Sequence, residues 1–204
     1  MKPQSSSLKA SLEKAVREAE PSLELAKEFL QGRGLLHGTA SRFRLGVSGS
    51  SSDYPGRLVI PSIAPEGNVV SVRYRSLDGS EPKMLGLAGQ QTRLFNPRAI
   101  SEADDVICIT EGEFDALILE QCGYHAVGVT GANAWKGKKH YPRLFQGFSK
   151  IFIFGDGDTA GRQFAKDVFA TVSGGVMVQL PDGLDVNDAF LEGGKPYIDK
   201  LMGV

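Results

Sequence analysis

The chain predicts an α/β fold: a four-stranded, mostly parallel sheet flanked by helices, preceded by a smaller basic α+β subdomain. Three observations carry that prediction. Short apolar runs recur in the second half, at residues 106–110 (VICIT), 125–129 (HAVGV), 151–154 (IFIF) and 176–180 (VMVQL). Such runs mark strands covered on both faces, as in a parallel sheet. Helical stretches separate them, and strand–helix–strand alternation makes right-handed crossovers. Charge is also divided: residues 1–100 carry 14 Lys and Arg against 9 Asp and Glu, a net of +5, whereas 101–204 carry 9 against 15, a net of −6. A basic half joined to an acidic half suits a polyanion held beside a cation site.

At 204 residues the chain has room for one medium domain or two small ones. No apolar run approaches a membrane span and no signal peptide opens the sequence, so no membrane partner and a cytoplasmic location are expected. Cys108 and Cys122 form no metal or disulfide pattern and read as buried thiols in a reducing compartment. His37, His125 and His140 lack metal spacing, so no zinc site is expected.

In chain order, residues 1–32 form a helical lead-in. Leu8, Leu12, Ala15 and Val16 fall at helical spacing, Pro21 interrupts, and Leu23, Leu25, Ala26, Phe29 and Leu30 resume until Gly32 and Gly34. Residues 33–100 form the basic α+β part. Strands are expected at 57–61 and 69–75, joined by the turn residues of 65–68. In the second strand Val70, Val72 and Tyr74 alternate with Ser71, Arg73 and Arg75, which places two guanidiniums about 7 Å apart on one face. With Arg57, Lys83 and Arg93 they suit a phosphate- and nucleotide-contacting surface. Residues 101–204 hold the parallel sheet, with helices after the strands at 106–110 and 151–154, a short helix at 144–148, and a last helix opening at 185–188.

Residues 155–158, GDGD, follow the 151–154 strand directly. Glycines let the backbone turn sharply there, so Asp156 and Asp158 can be held together at the strand's carboxyl end, where open α/β sheets place ligands. Two close carboxylates both stay ionised only beside a cation. Hard oxygen ligands without a dedicated protein cage suit Mg²⁺ shared with phosphate. Glu111 ends another strand, and Asp185 with Asp188 follow a third. A lone acid after a strand is an ordinary helix cap, but three such events at one sheet edge predict a shared site. Trp135, beside the cations of WKGKKH, suits either base stacking or loop packing.

These residues resemble the Toprim fold: EG-x-x-D at 111–115, DGD-x-AG at 156–161 and DVND at 185–188. RGL at 33–35, LG at 45–46, GR-x-x-x-P at 56–61, R-x-R at 73–75, PK at 82–83 and LFN at 94–96 are similar to the catalytic core of bacterial DnaG-type and phage DNA primases. The resemblance covers roughly residues 30–190. It implies synthesis of short RNA primers from ribonucleoside triphosphates on a single-stranded DNA template during replication. Glu111, Asp156 and Asp158 would be catalytic, and with Asp185 and Asp188 would bind Mg²⁺ or Mn²⁺. Arg57, Arg73, Arg75, Lys83 and Arg93 would contact nucleotide or template. The family often carries a proline and further acids after the third-motif aspartate, where this sequence has Val186 and Asn187. With no Cys/His module and no GxxxxGK[ST] in the sequence, a separate zinc-binding or helicase partner is expected, and the host cytoplasm if a phage encodes the chain. The alternatives are a Toprim-type metal-dependent nuclease and a non-catalytic replisome module that binds primed single-stranded DNA.

Overall fold

The computed structural model describes residues 5–87, 89–130 and 134–204, and the chain divides into two units, Met1–Arg93 and Leu94–Val204. The first unit opens with helix α1 (Ser6–Ala19), capped where the Ser5 hydroxyl accepts the Leu8 N–H at 3.2 Å. Pro21 then directs the chain into a 3₁₀ segment, Glu20–Ala26, before α2 (Lys27–Gly32). Leu23 and Ala26 are buried as the spacing predicts, but Leu25 is 74% exposed. The tighter 3₁₀ turn and the non-helical Ser22 rotate it off the apolar face. A further helix, α3 (His37–Arg42), is not evident in the sequence pattern.

Strands β1 (Gly46–Val47), β2 (Leu58–Ile63), β3 (Val69–Arg75) and β4 (Met84–Gly86) form an antiparallel sheet in that order. Leu12, Val16 and Ala19 of α1 share a core with Val59, Val72 and Tyr74 on one face. The other face carries Arg73 and Arg75. Register pairs Leu58 with Arg75 and Ile60 with Arg73, and directly opposite residues share a face. Leu58 and Ile60 are 0% and 1% exposed, whereas Arg73 and Arg75 beside them are half-buried.

In the second unit β5 (Leu94–Phe95) and α4 (Ala99–Glu102) precede β6 (Val106–Thr110), α5 (Glu113–Gln121), β7 (Ala126–Val129) and α6 (Tyr141–Leu144). Then follow β8 (Lys150–Phe154), α7 (Thr159–Phe169), β9 (Gly175–Val178) and α8 (Val186–Met202), which is broken at Gly194. The sheet order is β5-β7-β6-β8-β9. The four parallel strands read from the sequence are present, and β5 adds a fifth, antiparallel to β7. Two residues are too few to show a strand's alternation, which is why β5 went unread. Its corner is tied down by Asn96, whose amide donates to Glu120 at 2.8 Å and to the Ala126 carbonyl at 2.9 Å.

Ile107, Ile109, Ile151 and Ile153 of the central strands meet Val127, Val168, Trp135 and Phe145 in the core of this unit. The short helix expected at 144–148 lies instead at 141–144, opened by Pro142 in its first turn. Trp135 belongs to this core and not to a base-stacking surface: it is 5% exposed, and its indole N–H donates to the Thr171 hydroxyl at 2.9 Å.

Candidate active site

Parallel pairing of β6 with β8 aligns Thr110 with Phe154, so the residues after each strand emerge side by side at one edge. Glu111 follows β6 at once. The Thr110 hydroxyl donates to the Gly112 carbonyl at 2.8 Å and tightens the turn that presents it. Asp156 follows β8 after Gly155. Both side chains are half-buried.

Four other carboxylates lie near enough to Asp156 to shift its titration. Burial first, then the charges of Glu111, Asp185, Asp158 and Asp188, push its carboxyl up to about 7. Burial and then Asp158 raise Glu111 as well, opposed by a backbone hydrogen bond from Asp156. Acids spread over 77 positions of sequence therefore feel one another directly, as like charges in a partly dry pocket must. Oε2 of Glu111 is buried and has no hydrogen-bond partner among the described residues. A buried carboxylate oxygen left in that state is costly unless a cation or proton meets it.

Three of the acids also cap helices. Asp158 precedes α7 and accepts the Gly161 N–H at 2.7 Å. Asp185 and Asp188 form a capping box at α8: Asp185 accepts the Asp188 N–H at 2.8 Å, and Asp188 accepts the Asp185 N–H at 3.2 Å. Capping fixes where these carboxylates point, and a carboxylate oxygen can accept more than one partner, so the two roles are compatible. Among the described residues no group of three His, Cys, Asp or Glu side chains is placed to hold a metal ion by itself, as the side chains stand. Mg²⁺ is commonly held by one or two carboxylates, with water and phosphate completing its shell. The donor set and the orphaned Glu111 oxygen fit such an ion.

Asp156 also borders a cleft of about 290 Å³ between α7 and β9, where Arg162, Lys166 and Gln179 supply polar groups. Sequence reasoning passed over Arg162. Its position four residues after Asp158, in the first turn of α7, was the available signal. Glu113 and Asp115, in the first turn of α5, are also more buried than acids at a helix start ordinarily are.

The basic residues singled out in the sequence all lie in the first unit. Arg57 donates to the Pro82 carbonyl at 2.8 Å. Arg73 and Arg75 are half-buried, and the Arg75 guanidinium lies 5.9 Å from the centre of the Phe29 ring. Lys83 is exposed, and Arg93 is half-buried at the last position of the unit.

Residues 105–180 match the Toprim domain. Over 146 residues the chain is 40% identical to the Gene 57 protein of Mycobacterium phage D29, a match spanning 70% of this chain and 95% of that protein. The chain belongs to the family of the Gene 57 protein. It is related in turn to the DNA primase of Clostridium acetobutylicum, 26% identical over 163 residues. That match takes in 73% of this chain but only 27% of the bacterial primase. The fold of this family member is that of bacterial primase catalytic cores. The Aquifex aeolicus primase, comprising zinc-binding and RNA polymerase domains, superposes with a TM-score of 0.78 at 22% identity, over 96% of this chain and 60% of that one.

Proposed function

We propose that the chain is a DNA primase catalytic core that makes short RNA primers on single-stranded DNA during replication. The observation that carries this is the meeting of Glu111, Asp156, Asp158, Asp185 and Asp188 at one sheet edge, with a buried Glu111 oxygen unsatisfied. Asp156 and Asp158, assisted by Asp185 and Asp188, hold Mg²⁺ or Mn²⁺. When bound, the cation neutralises the nucleotide's phosphates and orients them for in-line displacement. Glu111, its carboxyl raised by burial and by Asp158, accepts the proton of the attacking 3′-hydroxyl. The new bond joins that oxygen to the α-phosphorus, and pyrophosphate leaves. Arg57, Arg73, Arg75, Lys83 and Arg93 contact nucleotide or template phosphate, as guanidinium forks do well.

In this reading residues 1–32 brace the basic 33–100 part, and 101–204 supply the chemistry. A separate zinc-binding or helicase protein completes the replication complex, and the cytoplasm, the host's if a phage encodes the chain, is the place of action. Among the described residues no helix is long and apolar enough to cross a membrane. Kinship with primases across both units favours synthesis over the nuclease and the non-catalytic readings.

The deciding assay supplies single-stranded DNA, labelled ribonucleotides and Mg²⁺ or Mn²⁺. Short RNA from the wild type and none from Asp156→Ala is expected. Cleavage of the DNA, or equal synthesis by the variant, would contradict the proposal.

A further inference from the structure

The two acid-bearing loops are bolted together at one peptide. Gly157, between Asp156 and Asp158, donates its N–H to the carbonyl of Leu184 at 2.8 Å, and Leu184 immediately precedes Asp185. The Gly157 carbonyl accepts the Gly183 N–H at 2.9 Å and a second hydrogen bond, also 2.9 Å, from Nη2 of Arg162. The same Nη2 meets Oδ1 of Asp182, in the loop that leads to Asp185. No side chain larger than hydrogen fits at the junction, since a Cβ on Gly157 would stand 2.0 Å from the Pro181 carbonyl oxygen. Arg162 thus reaches from α7 to both loops at once. Both hydrogen bonds leave one nitrogen, Nη2, at the far end of the long arginine side chain, a reach the shorter lysine side chain lacks.

We infer that Arg162 is a positioning residue that sets the separation of the Asp156–Asp158 pair from Asp185 and Asp188, and so the cation affinity of the site. The inference rests on the metal-binding role given to these acids above. Energetically the exposed Arg162–Asp182 pair counts for little. Its effect is geometric, as for outer partners that orient ligands and whose loss costs about 10- to 100-fold in metal affinity.

Charge alone predicts the opposite sign. Removing a cation beside clustered carboxylates makes the site more negative and should tighten binding of a divalent ion. Loss of positioning should weaken it.

The experiment measures Mn²⁺ binding by electron paramagnetic resonance, and amide hydrogen exchange at Gly157 and Gly183 by NMR, in the wild type, Arg162→Gln and Arg162→Lys. Expected for Arg162→Gln are Mn²⁺ affinity lower by about tenfold or more and faster exchange at both glycines. Arg162→Lys keeps the charge on a shorter side chain that falls short of the two loops, and should behave similarly; it also decides the matter if Arg162→Gln does not fold. Wild-type or tighter affinity in the folded variants would overturn the inference. So would exchange at Gly157 and Gly183 that does not change. If the wild type binds no Mn²⁺, the metal-binding reading fails instead, and the exchange rates alone still test the bolt.

Discussion

Gly155 and Gly161 meet backbone to backbone: a Cβ on Gly155 would lie 2.0 Å from the Gly161 carbonyl oxygen. The contact lets α7 start close over the end of β8, which brings the cap Asp158 back beside Asp156. Gly155→Ala must push the helix away. It should destabilise the protein by about 3 kcal/mol, the upper end for overpacking, read as a lower urea midpoint with the slope unchanged.

Asp156 gives a pH signature. Its folded carboxyl, pushed up to about 7 from 3.8 by burial and its acidic neighbours, binds a proton more tightly than in the unfolded chain. The resulting stabilisation is fully present below about pH 4 and is lost as pH rises through about 7. Without divalent ions, Asp156→Asn should therefore be more stable than wild type at pH 8, by about 1–2 kcal/mol after allowance for solvent screening. Added Mg²⁺ should recover stability at pH 8 in the wild type but not in the variant. Urea titrations at pH 5 and pH 8, with and without Mg²⁺, check both statements.

The strands that place the acids were readable because β6 and β8 are continuous apolar runs, and the acids because nothing apolar interrupts GDGD. What escaped has physical reasons. Strands β1, β4 and β5 have two or three residues each, fewer than a period-2 pattern needs. The alternation in β3 holds from Val72 to Arg75, but the register shift opposite Ser62 and Ile63 puts Val69 in the core in place of Val70 and buries Ser71, which a strict period-2 reading does not foresee. Arg162 was invisible because its role depends on a loop twenty residues away.

Trp135, the one tryptophan of the chain, is expected to report folding and not nucleic acid. Trp135→Phe removes the hydrogen bond to Thr171 and should cost about 1 kcal/mol. Fluorescence-monitored unfolding of the wild type sets the reference, and circular dichroism follows the variant. Affinity for single-stranded DNA should be the same in both.

Arg75 combines a charge with packing on Phe29. Arg75→Ala is expected to weaken binding to single-stranded DNA or nucleotide, with the log–log salt slope reduced by about one contact. Fluorescence anisotropy across a salt series measures it. An unchanged slope would place Arg75 among structural residues only.

The gathering of separate acids into one cation site is tested most directly by Mn²⁺ anomalous diffraction from crystals of the chain. The account predicts a peak in coordinating contact with Asp156 and at least one of Glu111, Asp158 and Asp185, absent in Asp156→Asn crystals. Peaks elsewhere alone, or none at saturating Mn²⁺, would contradict it.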